Sequence, residues 1–118
     1  MKEHPRTDAQ RLGDMRNAIQ RISALTGGLH QTGFLTDRTV QEAVAFNIMA
    51  LGEAAGGISK RTQHAHPVFD WRRLGALRQS PAHEYCDLKP EYLWDFVRDV
   101  LPTLETRLRK VRPATRKD

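Results

Sequence analysis

Among 118 residues there is a single cysteine, Cys86. An internal disulfide is therefore excluded, and a reduced, cytoplasmic setting is expected. No stretch approaches the ~20 consecutive apolar residues that cross a membrane. The opening Met1-Lys2-Glu3-His4-Pro5 has no apolar run behind it, so no secretory signal is expected either. The chain also lacks a glycine-rich phosphate loop, an internal repeat, a low-complexity segment and any strand-rich region. His64-Ala65-His66 is the only His-x-His, whereas a metal site usually needs three or four ligands. No metal and no cofactor are expected.

What is present is basic and helical. Nineteen Lys and Arg stand against 14 Asp and Glu, for a net charge of +5, and 14 of the 19 are arginine. An Arg-rich surface favours polyanions, RNA above all, although much of this charge forms a mixed solvated surface. The length suits one domain over residues 1–118, with a core at about 8–111 and a basic tail at 112–118. With 39% hydrophobic residues, several apolar positions are expected to need a partner subunit.

Thr7-Asp8-Ala9-Gln10 has the pattern of a capping box. Behind it Leu12, Met15, Ile19, Ile22 and Leu25 recur at three and four, which predicts a helix over about 8–26, ended by Gly27-Gly28. A short loop carrying Leu29, Phe34 and Leu35 leads to a second helix, capped by Thr36 or Thr39 and reaching Gly56-Gly57. Val40, Val44, Ile48, Leu51 and Ala55 form its stripe; Ala43, Phe46 and Ala50 widen it, so it is central or at a subunit interface. Residues 58–69 read as polar and irregular. Asp70 caps a third helix with Trp71, Leu74 and Leu77. Pro90 opens a fourth, with Tyr92, Leu93, Phe96, Val97, Val100 and Leu101 inward, which Pro102 kinks or splits. The expected fold is an all-α antiparallel bundle of four long helices.

The chemistry gathers at Arg78-Gln79-Ser80-Pro81-Ala82-His83-Glu84-Tyr85. Arginine offers a permanent planar cation suited to phosphate. Histidine trades protons near neutral pH. On a straight helix Arg78 and His83 sit about 140° apart, while Arg78 and Tyr85 nearly coincide. Pro81 makes a straight helix unlikely, and Ser80-Pro81 reads as an N-cap with proline at the first position, so a restart would re-aim His83. The plain alternative is a surface arginine, a packed histidine and a core tyrosine.

Taken in order, Asn47-Ile48-Met49-Ala50-Leu51-Gly52-Glu53-Ala54-Ala55, Asp70-Trp71-Arg72-Arg73-Leu74, Arg78-x4-His83-x-Tyr85, Leu93-Trp94-Asp95-Phe96 and Leu101-Pro102-Thr103-Leu104 resemble the HepT-like branch of the HEPN superfamily. These are small all-helical toxins with an RxxxxHxY motif, and the resemblance covers roughly residues 8–111. It implies a HEPN-like fold and metal-independent RNA cleavage by Arg78 and His83, with Gln79 and Ser80 supporting; Glu53, near the end of the second helix, can support the site by pairing with an arginine there, the plainer reading being a surface ion pair. It further implies a homodimer, or a higher hetero-oligomer with a nucleotidyltransferase antitoxin that adds AMP to Tyr85. A second reading is a non-catalytic HEPN-like dimer that binds RNA or the nucleotidyltransferase. Gln79, where such proteins often carry Asn or Asp, and Pro81 favour that one.

Overall fold

The structure, a computed structural model, describes residues 5–79 and 89–114. Helix α1, Asp8–Thr26, begins at the expected capping box: Gln10 N donates to Thr7 Oγ1 at 3.1 Å, and Thr7 N to Gln10 Oε1 at 2.9 Å. Its stripe of Leu12, Met15, Ile19 and Ile22 is buried.

Helix α2, Gln31–Leu35, occupies what the sequence suggests is a loop. Five residues are too few to show a 3.6-residue period. Its one turn seats Phe34 in the core, fully buried, with its ring centroid 5.2 Å from that of Trp94. Burial of such a side chain stabilises by about 1.5–3 kcal/mol.

Helix α3, Arg38–Gly56, is capped by Asp37, whose carboxylate accepts from Val40 N at 3.1 Å. Neither threonine expected as the cap serves. Thr36 turns back instead and donates its hydroxyl to Thr32 O at 2.9 Å. Val44, Ile48, Leu51 and Ala55 are buried, but Phe46, expected to widen that face, is 65% exposed.

α1 and α3 form the spine and run antiparallel, because Asp8 at the start of α1 reaches Ser59 just beyond α3. Within the 58–69 stretch lies helix α4, Lys60–Ala65, capped by Ser59. Helix α5, Trp71–Ala76, is capped by Asp70 as expected, with Arg73 N donating to the carboxylate at 3.1 Å.

The fourth long helix is one rod in three parts: α6, Pro90–Asp95; a π-helical turn, Phe96–Val100; and α7, Leu101–Leu108. Proline at position 102 supplies no amide and presses its ring on the carbonyl four residues back. The wider turn before it accommodates both, with Leu101 N reaching Phe96 O five residues back. Eight residues at ~100° each overshoot two turns by about 80°. The smaller rotation per residue in the π turn cancels that excess, so Leu93 and Leu101 both face the core. Tyr92 and Val100, expected on that inner face, are 68% and 43% exposed, since one helix face cannot hold 92, 93, 100 and 101 together.

Beyond α7 the chain is tied back. Val111 is buried, and Ala114 N donates to Thr62 Oγ1 at 3.0 Å. His66, half of the His-x-His, has Nε2 3.3 Å from the donating Arg112 N. No strand occurs among the described residues, and none of their helices is long and apolar enough to cross a membrane.

Candidate functional site

α5 runs antiparallel to α3 and touches it through glycine. A Cβ on Gly75 would lie 3.3 Å from Gly56 Cα. One on Gly52 would lie 2.9 Å from the Leu77 carbonyl carbon, and closer still to the Arg78 amide nitrogen. Those neighbours are main chain and cannot rotate aside. Glycine inside a helix costs about 1 kcal/mol relative to alanine. Here its missing side chain lets the backbone at Leu77–Arg78 rest directly on α3. The Arg78 guanidinium then lies beside Gly56, where an added Cβ would meet Nη1 at 3.4 Å.

This crossing opens a cleft of about 420 Å³ between α4 and α5. Gly56, Gly75 and Ala76 leave it room, while Lys60, Gln63, Arg72, Arg78 and Gln79 supply its polar lining. No carboxylate lines it among the described residues. Lys60, Arg72 and Arg78 are exposed, and none has an ion pair among them. Several other cations are paired: Arg6 with Asp14 at 2.7 Å, Arg98 with Asp95 at 3.1 Å and Asp99 at 2.9 Å, Arg109 with Glu105 at 3.7 Å.

The α4 wall is held by Asp8. Its carboxylate accepts from Ser59 N at 2.9 Å and from the Ser59 and Thr62 hydroxyls, and Arg11, whose guanidinium lies against Gly57, is near. Partial burial pushes the Asp8 carboxyl upward. The Ser59 and Thr62 hydroxyl groups, the Ser59 amide and the Arg11 charge together outweigh that and hold it below the usual value.

Of the site residues expected from sequence, Arg78 and Gln79 stand together in the cleft. Glu53 is exposed on α3, makes no ion pair among the described residues and is not in the cleft lining. Ser80, Pro81, His83 and Tyr85 lie outside the described residues. Sequence reasoning missed Gly52, Gly56 and Gly75 as positioning residues, and Lys60, Gln63 and Arg72 as cleft residues. The signal available was Gly-x3-Gly inside an alanine-rich helix, where glycine has no reason of propensity to stand.

The family described as Ribonuclease HepT-like matches residues 15–111. The chain belongs to the HepT-like ribonuclease family. A Thermococcus cleftensis relative named as a probable ribonuclease HepT is 30% identical over 101 residues, covering 86% of this chain and 92% of that protein. A Methanocaldococcus jannaschii relative that carries an RNase name is 26% identical over 91 residues, covering 77% and 75%. No solved structure matches significantly. The HepT-like match starts within α1 and ends at Val111, so it takes in most of the spine, the glycine crossing and every residue of the basic cleft.

Proposed function

We propose that this HepT-like chain is the toxin of a type II toxin–antitoxin pair, an endoribonuclease that needs no metal ion. The observation that carries the reading is Arg78, seated on α3 by Gly52 and opening on a cleft whose cations make no ion pair among the described residues, in a chain of a ribonuclease family.

RNA brings its own nucleophile. A base removes the 2′-hydroxyl proton, the oxygen attacks the adjacent phosphorus, and an acid protonates the departing 5′-oxygen. Charge builds on the phosphoryl oxygens, and the Arg78 guanidinium is the group to stabilise it. His83 acts as base or acid. One imidazole cannot start in both protonation states, so a second His83 from a homodimer partner completes the cleft. Phe46 and Tyr92, exposed on α3 and α6, are apolar surface for a partner to cover. The protein meets its RNA in the cytoplasm.

Neutralisation falls to a nucleotidyltransferase antitoxin. The Tyr85 phenol oxygen attacks the α-phosphorus of ATP, pyrophosphate leaves, and the phenol proton passes to a base. The added phosphate then competes with RNA for Arg78.

The deciding measurement is cleavage of single-stranded RNA in excess chelator. Wild-type protein should cut and His83→Ala should not. Equal cleavage by both would end the assignment, and no cleavage by either would favour a binding module. With antitoxin and ATP, mass spectrometry should find AMP on Tyr85, and Tyr85→Phe should stay active and escape. AMP on Tyr92 alone would overturn the proposed switch.

A further inference from the structure

Three cations share one cleft with no carboxylate among the described residues to neutralise them, on a surface whose other cations include several in ion pairs. Arg78 alone has a place in the cleavage chemistry. Lys60 and Arg72 do not touch the bond to be cut under that scheme, yet they face the same space from α4 and from the start of α5. Arg72 and the positions three and four on, Gly75 and Ala76, share one face of α5, and Gln79 follows in the turn just beyond it. Lys60 and Gln63 form the matching stripe of α4. Between them, Gly56, Gly75 and Ala76 keep the floor free of bulk. The volume, about 420 Å³, lies within the range of about 300–1,000 Å³ that holds small ligands. Most such pockets are apolar, however, and this one offers cations and amides. A guanidinium matches phosphate in two hydrogen bonds, an ammonium supplies a point charge, and a glutamine amide both donates to and accepts from a ribose hydroxyl.

We infer that this cleft is a sugar-phosphate subsite for single-stranded RNA, lying next to the bond that Arg78 serves. Lys60 and Arg72 each neutralise one of two consecutive phosphates on the same side of the scissile one, and Gln63 and Gln79 address the ribose between those two. The subsite feeds the strand along the α4–α5 cleft toward Arg78 and fixes its register. It rests on the ribonuclease reading for its purpose, while its phosphate chemistry stands on the cleft itself.

The test is equilibrium binding of a 12-nucleotide single-stranded RNA made uncleavable by 2′-O-methylation, titrated with salt. Each phosphate contact on a single strand contributes about 0.7 to the slope of log affinity against log salt. Lys60→Ala combined with Arg72→Ala should therefore lower that slope by about 1.4 and weaken low-salt binding at least tenfold. Arg16→Ala with Arg21→Ala, two exposed cations of α1, should leave both unchanged. On a cleavable strand the cleft double variant should raise KM and keep kcat. An unaltered slope and KM in the cleft variant overturns the subsite and leaves the ribonuclease standing. Salt-dependent binding lost in the cleft variant, with no cleavage by wild type, ends the ribonuclease and keeps the subsite. Displacement of the RNA by a poly-glutamate peptide of equal charge, at equal concentration, would make the cleft a dock for an acidic protein and overturn the proposal.

Discussion

α5 separates two cavities of similar size and opposite character. On one side is the basic cleft with Lys60, Arg72 and Arg78, about 420 Å³. On the other is a groove of about 450 Å³ against the π turn and α7, walled by Leu74, Leu77, Phe96, Val100 and Leu104. Among the described residues the groove's charges, Asp70, Arg73, Asp99 and Arg107, are of both signs and balance; the cleft's are of one sign and do not. Size therefore says nothing about which side does chemistry. A rotation about the same six-residue helix turns Leu74 to one cavity and Arg72 to the other, so the two sides differ in charge and not in room.

If the groove is structural and the cleft functional, variants should separate stability from activity. Leu104→Ala, which empties a buried position in the groove wall, should cost about 2–5 kcal/mol in denaturant unfolding while cleavage per folded molecule stays near wild type. Arg78→Ala should do the reverse, losing about 10²–10³-fold in kcat with little change in unfolding midpoint. Gly52→Ala should join the two effects. The added methyl meets main chain at Leu77–Arg78, so about 1–3 kcal/mol of stability should go together with much of the activity.

A subtler test concerns the α4 wall. The folded Asp8 carboxyl titrates below its unfolded value of about 3.8. Its contribution to stability is therefore complete above the unfolded value and disappears as pH falls through the folded one. Hydrogen exchange across 60–65 should accelerate in that acid range relative to mid-α1, and Asp8→Asn should flatten the dependence. The smallest effect belongs to Val100→Thr. At 43% exposure on the groove rim it should shift stability by no more than about 0.5 kcal/mol and leave cleavage unchanged.

The parts of this molecule legible in sequence are those governed by local rules. Thr7 and Gln10 announce the start of α1, Asp70 that of α5, and Pro90, at the first helical position, that of α6, because each start is settled within four residues. α2 and α4 escaped because five and six residues are too few for the 3.6-residue period to repeat. The exposure of Tyr92 and Val100 escaped because the π turn changes the helical phase, which a constant 3.6-residue count does not see. At the site, Arg78 could be found from its motif. Its surroundings could not, since Lys60 and Arg72 come near it only through the α3–α5 crossing, and the role of Gly52 depends on a backbone 25 residues later.

The π turn leaves a mark on how this chain can vary. A deletion inside a helix ordinarily swings everything after it by about 100° and turns the core side chains outward. Between Trp94 and Val100 the outcome differs. Seven residues in a plain α-helix fall only about 20° short of two turns, so removing one residue there would restore regular winding and still bring Leu93 and Leu101 to the same side. The shortened rod would then press the ring of Pro102 onto the preceding turn, at about 3 kcal/mol. The proline and the extra residue are thus a matched pair. Removing both together keeps the core in register, while deleting the residue and keeping the proline is penalised.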